Sequence, residues 1–266
     1  MAEQVKFENR NVNIAYICTQ MNEILVISCL FNFIQNSNRE GGAIYISNKD
    51  ASLAVLDSRA SDTFSMEKGG FTYTDCHNTS LNNFCLVRSQ SDYGSCFYVS
   101  EADAFSVNDT YAFNSYQTHG VYTVPHCSLF QYSRGNITNS QSDGGATGTC
   151  ASECQEIHFR WLFFGSNQDK QSYPLIGMEY TEKMIFTMEN VLINNQTEKT
   201  FEYPGIIYSA RDTFVDGLYI GEHNYKRIFN DVDVIKELKN FYVKEERFLG
   251  DNAPEVFKMQ YTCPFG

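Results

Sequence analysis

The stretch Gly41-Gly42-Ala43-Ile44-Tyr45-Ile46-Ser47 decides the fold of this chain, because it places two glycines before a run of β-forming residues. Weaker copies return along the sequence, with leading glycines at positions 41, 69, 94, 120, 144, 177 and 205. The copies are Gly69-Gly70-Phe71-Thr72-Tyr73, Gly94-Ser95-Cys96-Phe97-Tyr98, Gly120-Val121-Tyr122-Thr123, Gly144-Gly145-Ala146-Thr147, Gly177-Met178-Glu179-Tyr180 and Gly205-Ile206-Ile207-Tyr208. A motif that recurs at a nearly constant interval indicates a repeat architecture.

The repeat unit is about 27 residues long and contains two or three short strands with no clear helical stretch. This pattern predicts an all-β fold, a right-handed parallel β-helix of about eight coils stacked about 4.8 Å apart. A leucine-rich solenoid would show its own leucine spacing, and a propeller blade needs about 40 residues. We assign residues 1–221 to the β-helix, with an opening coil or cap within 1–23, and residues 222–266 to a C-terminal cap that covers the stacked core.

Stacking places equivalent positions of successive coils above one another, which predicts an aromatic ladder of Tyr45, Tyr73 and Tyr98. The residues just before these tyrosines form the neighbouring column: Ile44, Thr72 and Phe97. Either column suits the inside of the wall, because a shift of one residue moves every side chain of a strand to the opposite face.

Several units carry an apolar residue three places before an asparagine: Phe33/Asn36, Tyr111/Asn114, Phe164/Asn167 and Leu192/Asn195. Together with Gly41-Gly42-Ala43-Ile44, this pattern resembles the paired motifs of polymorphic outer-membrane-protein-type repeats, which belong to the pectin-lyase-like β-helix proteins. The resemblance covers roughly residues 24–215. It implies the β-helix fold, and the bacterial members of the family imply a role as surface adhesins.

The resemblance also raises the question of enzymatic activity, because the best-known enzymes of this fold act on acidic polysaccharides. Thr118-His119-Gly120 and Arg227-Ile228-Phe229 are faint echoes of the hydrolase motifs, but they lie more than 100 residues apart. The sequence has no Asp-Asp pair that would place two carboxylates for acid and base catalysis. Arg211-Asp212 and Asp57-Ser58-Arg59 are more simply turn charges, so we predict no catalytic residues.

The cysteines and histidines give a second candidate site. Nine cysteines is an odd number, and we expect reduced, mostly buried thiols. Cys150, Cys154 and His158 have soft metal ligands at intervals of four residues, with His126-Cys127 one coil earlier. A structural zinc site has a second ligand pair at recognisable spacing. Whether these residues bind a metal therefore stays open, and we predict neither a metal nor a cofactor.

The balance of 32 acidic against 20 basic residues gives a formal charge of −12. Nucleic acids and anionic membranes attract lysine and arginine, so neither is an expected partner. The apolar run Ile24–Phe31 is shorter than the ~20 residues that cross a bilayer, and no signal segment stands before it. These observations predict a soluble, intracellular protein without membrane insertion.

The interval from Gly144 to Gly177 is the longest, and it contains Trp161 and the polar loop Gln168-Asp169-Lys170-Gln171. Insertions in solenoids often form loops on a binding face, while a larger local core is the alternative. Four asparagines match glycosylation sequons, which would matter in a secreted chain: Asn78, Asn108, Asn136 and Asn195.

These features predict a non-enzymatic structural or interaction module, a rigid rod within a larger intracellular assembly. Its partners would be other proteins. The flat sides of such a rod would suit a regular lattice, such as cytoskeletal or ciliary filaments, including microtubules. A secreted or cell-surface adhesin is the first alternative, and a polysaccharide lyase or hydrolase is the second.

Overall fold

The computed structural model describes residues 4–8, 11–12, 16–18, 20–36, 40–170, 176–179, 184–194, 201–202, 207–211, 213–215, 218–220 and 223–226. Most of the predicted C-terminal cap, residues 222–266, therefore lies outside the described residues. Within the described ranges the chain is all-β, with no helix.

The strands are, in chain order, β1 (Gln4–Glu8), β2 (Asn11–Val12), β3 (Tyr16–Cys18), β4 (Glu23–Ile27), β5 (Leu30–Asn36), β6 (Ile44–Ser47), β7 (Ser52–Ser65), β8 (Thr72–Asp75), β9 (Asn78–Val87), β10 (Gln90–Tyr93), β11 (Phe97–Val99), β12 (Ala102–Phe113), β13 (Tyr116–His119), β14 (Tyr122–Pro125), β15 (Cys127–Thr138), β16 (Gln141–Ser142), β17 (Thr149–Ser152), β18 (Glu156–Gly165), β19 (Gln168–Asp169), β20 (Ile176–Glu179), β21 (Ile185–Asn194), β22 (Phe201–Glu202), β23 (Ile207–Arg211), β24 (Thr213–Val215), β25 (Leu218–Ile220) and β26 (His223–Lys226).

These strands form an 18-stranded and an 8-stranded sheet, and each strand pairs with its equivalent in the next coil. The pairings are parallel, except that β26 and β25 pair antiparallel with β23 and β24. The result is a parallel β-solenoid of about six turns, which confirms the predicted fold class. The predicted number of about eight coils is too high, and at about 4.8 Å per turn the stack is roughly 29 Å long.

One coil shows the path of the chain. It runs along β6 in the 8-stranded sheet, which we call the glycine wall, and then along residues 52–56, which belong to wall A. The backbone bends at Asp57, follows residues 58–61 in wall B, and bends again at Asp62. Residues 63–65 belong to wall C, and a glycine corner then leads into β8.

Glycine makes the corner before the glycine wall, as predicted. Gly41, Gly69 and Gly94 have φ of 69°, 67° and 63°, a region that is costly for other residues. A Cβ at Gly42 would lie 1.8 Å from the carbonyl oxygen of Gly70 in the next coil. Both properties that distinguish glycine, free φ and close approach, are therefore used here.

The last two copies of the glycine motif are assigned wrongly by the sequence. Gly177 lies inside β20, in register with Cys150, instead of at a corner. Gly205 itself lies outside the described residues, and β23, which contains Ile207 and Tyr208 of the same copy, pairs with β21 in the larger sheet. The alternation of inward and outward side chains sets the register, and a lone glycine does not mark a corner by itself.

The core is one cluster that runs the length of the stack. Its aromatic rings touch from coil to coil: the ring centroids of Phe105 and Phe130 are 5.2 Å apart, and those of Phe130 and Phe159 are 5.5 Å apart. The structure also decides the parity that the sequence leaves open. The inward column of the glycine wall consists of buried residues: Ile44, Thr72 and Phe97. The tyrosines therefore lie on the outside.

Candidate interaction surfaces

The outer side of wall A is the most regular surface of the described chain. Over five successive strands (β4 and the first halves of β7, β9, β12 and β15) its outward residues are uncharged, apart from Glu23 at one edge and Asp103 at the start of β12. We call this set the uncharged face: Leu25, Ile27, Ser52, Ala54, Leu56, Asn78, Ser80, Asn82, Ala104, Ser106, Asn108, Leu129, Gln131 and Ser133.

The uncharged face follows from strand alternation. In the second of its strands Leu53 and Val55 are buried in the core, so Ser52, Ala54 and Leu56 point away from it. All of the outward residues are half-buried or exposed. Because 20 % of the chain is charged, so large a surface without a charge stands out from the rest of the molecule. Desolvation of its side chains costs less free energy than desolvation of charged groups.

Charged residues border the uncharged face on both sides. At the corner toward the glycine wall, His77 lies 3.1 Å from Asp103, His126 lies 2.9 Å from Glu153, and Lys49 pairs with Glu101. The border at wall B is described next. Together the two borders give the arrangement of many protein interfaces, in which charges are depleted at the centre and a polar rim surrounds it.

At the bend toward wall B, the charges of successive coils bind each other. Arg134 donates two hydrogen bonds to the carboxylate of Asp109, at 2.8 and 2.7 Å. One coil pair earlier, the Asn83 amide donates a 2.8 Å hydrogen bond to Asp57. These contacts link residues 25 or 26 positions apart, so they fix one coil on the next.

The size of the uncharged face limits what it can bind. Five strands about 4.8 Å apart and five residues of about 3.3 Å each cover about 24 by 16 Å, or about 400 Å². A stable protein interface buries about 800 Å² on each partner. One copy of this face therefore supports a weak contact.

The predicted tyrosine ladder is present on the outer side of the glycine wall. The rings of Tyr45 and Tyr73 stack at 5.1 Å and 13°, and those of Tyr73 and Tyr98 at 5.6 Å and 7°. The Lys68 ammonium lies 5.0 Å from the Tyr98 ring centroid and 3.1 Å from Glu40. Burial raises the pKa of Tyr73 and of Tyr98, so both hydroxyls stay neutral at physiological pH.

The three residues considered as metal ligands, Cys150, Cys154 and His158, lie on different sides of the coil. Cys150 is on the outer side of the glycine wall in register with Thr123, and Cys154 is buried at the next corner. The His158 ring lies on the outer side of wall A, where its Nδ1 is 2.6 Å from the Thr187 hydroxyl. Among the described residues, no three His, Cys, Asp or Glu side chains are placed to hold a metal ion.

The buried thiols of Cys127 and Cys154 meet between two coils. Their hydrogen bond lowers the pKa of Cys127 and, together with burial, raises that of Cys154. Among the described residues, Cys29, Cys96 and Cys127 are free thiols. Cys85 is disulfide-bonded, so the expectation of a reduced thiol is wrong for this cysteine. The sequence carries no sign of this, because cysteine pairing depends on the three-dimensional path of the chain.

The other residues considered for chemistry are scattered. His119 stacks on Tyr93 at 4.3 Å between ring centroids, while Asp57 stands at a bend that leads into wall B. Arg227-Ile228-Phe229 lies outside the described residues, as does Asp212. Of the two faint echoes of hydrolase motifs, only Thr118-His119-Gly120 therefore lies among the described residues.

Trp161 and the long interval after it were the remaining candidates for a binding loop. Trp161 is half-buried and stands at the bend between walls A and B, with φ of 57°, while Phe159 and Phe164 belong to the core. The polar loop begins with β19, which pairs with β16, and residues 171–175 lie outside the described residues. The described part of this interval is therefore an ordinary coil.

Comparison with known proteins adds nothing to the geometry. No family model, no curated protein and no solved structure matches this chain. Within the described ranges there is also no helix of the length and hydropathy needed to span a membrane. The fold and its surfaces define the class of the protein, a parallel β-solenoid.

Proposed function

We propose that this protein is a non-enzymatic interaction module, a rigid β-solenoid that docks through its uncharged face within a larger assembly. The observation that carries the proposal is the outer side of wall A, where the outward residues of the uncharged face carry no charge. A sheet face with mostly small side chains has no charges to desolvate on contact.

The small area of the face favours a repeating partner. A contact of about 400 Å² per copy is half of what a stable pair needs, so it gains strength only when many copies bind side by side. A filament or lattice provides such an array. We therefore propose an intracellular assembly, with cytoskeletal or ciliary filaments as the partner to test first.

We also propose a relationship with the polymorphic outer-membrane-protein-type repeats, through the two halves of their motif. The Asn36 amide donates hydrogen bonds to the carbonyl oxygens of Gly41 and Glu40, at 2.7 and 3.3 Å. The asparagine of the first half thus supports the glycine corner of the second half. This contact gives a physical reason for the two motifs to occur together.

Pelleting of the full chain with purified filaments tests the docking proposal. We expect the protein to sediment with microtubules polymerised from purified tubulin. Ser106 is the middle outward residue of the fourth of the five strands of the uncharged face, so Ser106→Arg and Ser106→Glu should each weaken binding at least about tenfold, since a charge would be buried at the contact. Ser47→Glu, an exposed position on the glycine wall, is the matched control.

Two results would count against this proposal. Binding that both Ser106 variants leave unchanged would remove the uncharged face as the docking site. Native protein recovered alone from the medium of its cells, with nothing bound, would remove the intracellular assembly.

A secreted or cell-surface adhesin remains the second candidate, because the disulfide at Cys85 favours an oxidising compartment. The sequon residues Asn78 and Asn108 point outward from the uncharged face, whereas Asn136 is buried. Glycans at Asn78 or Asn108 would cover that face, so the two candidates exclude each other. The intact mass of the native protein, before and after glycosidase treatment, distinguishes them.

A further inference from the structure

Two neighbouring coils share a group of buried side-chain oxygens on the inner side of wall C and the corner that follows it. Ser115 and Gln117 belong to one coil, and Ser140 and Thr147 belong to the next; we call these four residues the polar corner. Each is 0 % or 1 % exposed. Their four oxygens (Oγ, Oε1, Oγ and Oγ1) have no hydrogen-bond partner among the described residues. Because buried polar groups of folded proteins are nearly always hydrogen-bonded, these atoms call for a partner.

The register of wall C places two of these oxygens one above the other. The amide of Gln141 donates a 2.8 Å hydrogen bond to the carbonyl oxygen of Ser115, so Ser140 stands over Ser115 in the next coil. Neighbouring coils are about 4.8 Å apart. Two hydroxyl oxygens at this spacing are too far apart for a direct hydrogen bond. They are close enough for one water molecule to bridge, since each of its hydrogen bonds is about 2.8 Å long.

Protein groups satisfy the same register columns in other coils. The hydroxyls of Thr63 and Ser89 are 2.7 Å apart, and the Ser91 hydroxyl donates to the carbonyl oxygen of Tyr93 at 2.9 Å. One coil after the polar corner, Asn167 makes two hydrogen bonds to the backbone. In these two columns the unpaired oxygens are therefore confined to the polar corner.

A backbone bulge brings Thr147 into the polar corner. The amides of Gly120 and Val121, which are adjacent in sequence, donate 2.6 Å hydrogen bonds to the carbonyl oxygens of Ala146 and Gly148. Thr147 is thus an extra residue opposite the shorter corner of the previous coil, as in a β-bulge. Gly148, which follows it, has no side chain at the position that Val121 fills one coil earlier.

Gln117 joins this bulge to wall C. Its Nε2 donates a 3.0 Å hydrogen bond to the carbonyl oxygen of Thr147, so the Oε1 of the same amide also lies near the bulge. The four oxygens of the polar corner belong to uncharged side chains, so an ion buried there would have no counter-charge from them. Hydroxyl groups both donate and accept hydrogen bonds, as water does. Water is therefore the ligand that fits this set of groups.

We propose that the polar corner is a buried hydration site, in which ordered water joins the four oxygens across the two coils. A buried water makes about three hydrogen bonds, so four unpaired oxygens require one or two water molecules. The water continues the hydrogen bonding between coils where side chains do not reach each other. This site is independent of the docking partner proposed above.

A high-resolution crystal structure of the full chain tests the proposal. We expect water density within about 3.2 Å of at least three of the four oxygens. An interior without water there overturns the proposal, as does a structure in which the four oxygens bond directly to protein groups.

Two variants measure the contribution of the water in solution. Ser115→Ala and Ser140→Ala should each lower the melting temperature by about 2–4 °C, because each removes a hydroxyl that is bonded to water. In a dry interior the same changes would remove an unpaired hydroxyl, so an unchanged or higher melting temperature contradicts the proposal. Ser91→Ala is the control for the crystal structure: its hydroxyl bonds to a protein carbonyl, so the water of the polar corner should stay in place. The wild-type crystal structure decides alone if a variant does not fold.

Discussion

The bends between the walls are made by residues in a left-handed backbone conformation that are mostly not glycine. The bend between walls A and B has φ between 48° and 57° at one position of each coil: Ser28, Asp57, Asn83, Asp109, Arg134 and Trp161. Such φ values cost free energy for residues with a Cβ. Where the side chain hydrogen-bonds to the next coil, as Arg134 does to Asp109, that contact offsets part of the cost.

The pair of Asp62 and Arg88 makes the bend between walls B and C sensitive to acid. Arg88 donates hydrogen bonds of 2.7 and 2.8 Å to the Asp62 carboxylate and lowers its pKa. The folded state therefore binds this proton less tightly than the unfolded state. The stabilisation is present above about pH 4, the ordinary pKa of aspartate, and is lost as the pH falls through the lower, folded pKa.

Replacement of Asp62 by asparagine isolates this contribution, because asparagine tolerates positive φ. We expect Asp62→Asn to lose up to about 1 kcal/mol of the free energy of unfolding at pH 7, since the pair is partly exposed. The difference from wild type should shrink as the pH falls below about 4, as measured by urea unfolding at each pH. A difference that stays constant with pH would contradict the role of the charge.

Gly42 is the residue where close packing between coils is strictest. A Cβ there would meet the carbonyl oxygen of Gly70 at 1.8 Å, a backbone atom that cannot move without shifting the next coil. We expect Gly42→Ala to lower the free energy of unfolding by about 3 kcal/mol, or the melting temperature by roughly 6–12 °C. Ser47→Ala, exposed in the adjoining strand, should change it by less than about 0.5 kcal/mol. Equal melting temperatures for both variants would contradict the close approach.

At the scale of the strand, the tyrosine ladder shows how stacking converts a sequence repeat into an interaction. Tyr73 stacks on rings both above and below it, whereas Tyr45 stacks on Tyr73 alone among the described side chains. Each stacked pair is worth about 0.5–1.5 kcal/mol beyond the buried area. The central ring should therefore matter about twice as much as the end ring.

Leucine substitutions measure the ladder. We expect Tyr73→Leu to cost about 1–3 kcal/mol in denaturant unfolding and Tyr45→Leu about half of that. Each single variant removes the stack between Tyr45 and Tyr73, and the double variant removes the same stack once. The loss of stability in the double variant should therefore be smaller than the sum of the losses in the two single variants. Strict additivity would indicate that the rings contribute burial without stacking.

The strand register was predictable from sequence wherever one motif repeats with little change. Gly41, Gly69 and Gly94 each stand three residues before the inward residue of the next strand, so the ladder could be assigned from spacing alone. Of the bends, only that at Asp57 matches a turn interpreted from the sequence, and the others could not be predicted, because serine, arginine and tryptophan share no signal for positive φ. The motif also fails at Gly177, which lies inside a strand.

At the scale of the whole molecule, the four walls differ in what they present, and this was the least predictable level. The uncharged face depends on which alternate residues of five strands point outward. A shift of the register by one residue would turn core residues outward in place of Ala54 and Ser80. The burial of Cys85 and Tyr111 on the outer side of wall B is likewise absent from the repeat pattern.

Binding through a face of about 400 Å² should depend strongly on valency, and this is the sharpest test at the molecular scale. We expect the monomeric protein to bind microtubules weakly, and a version dimerised by a fused coiled coil to bind with about 100- to 10,000-fold higher apparent affinity, because the second contact becomes intramolecular. Pelleting over a range of filament concentrations measures both. A dimer carrying Ser106→Glu should return to the weak binding of the monomer or below it. Tight one-to-one binding by the monomer would mean that a surface larger than the uncharged face is in contact.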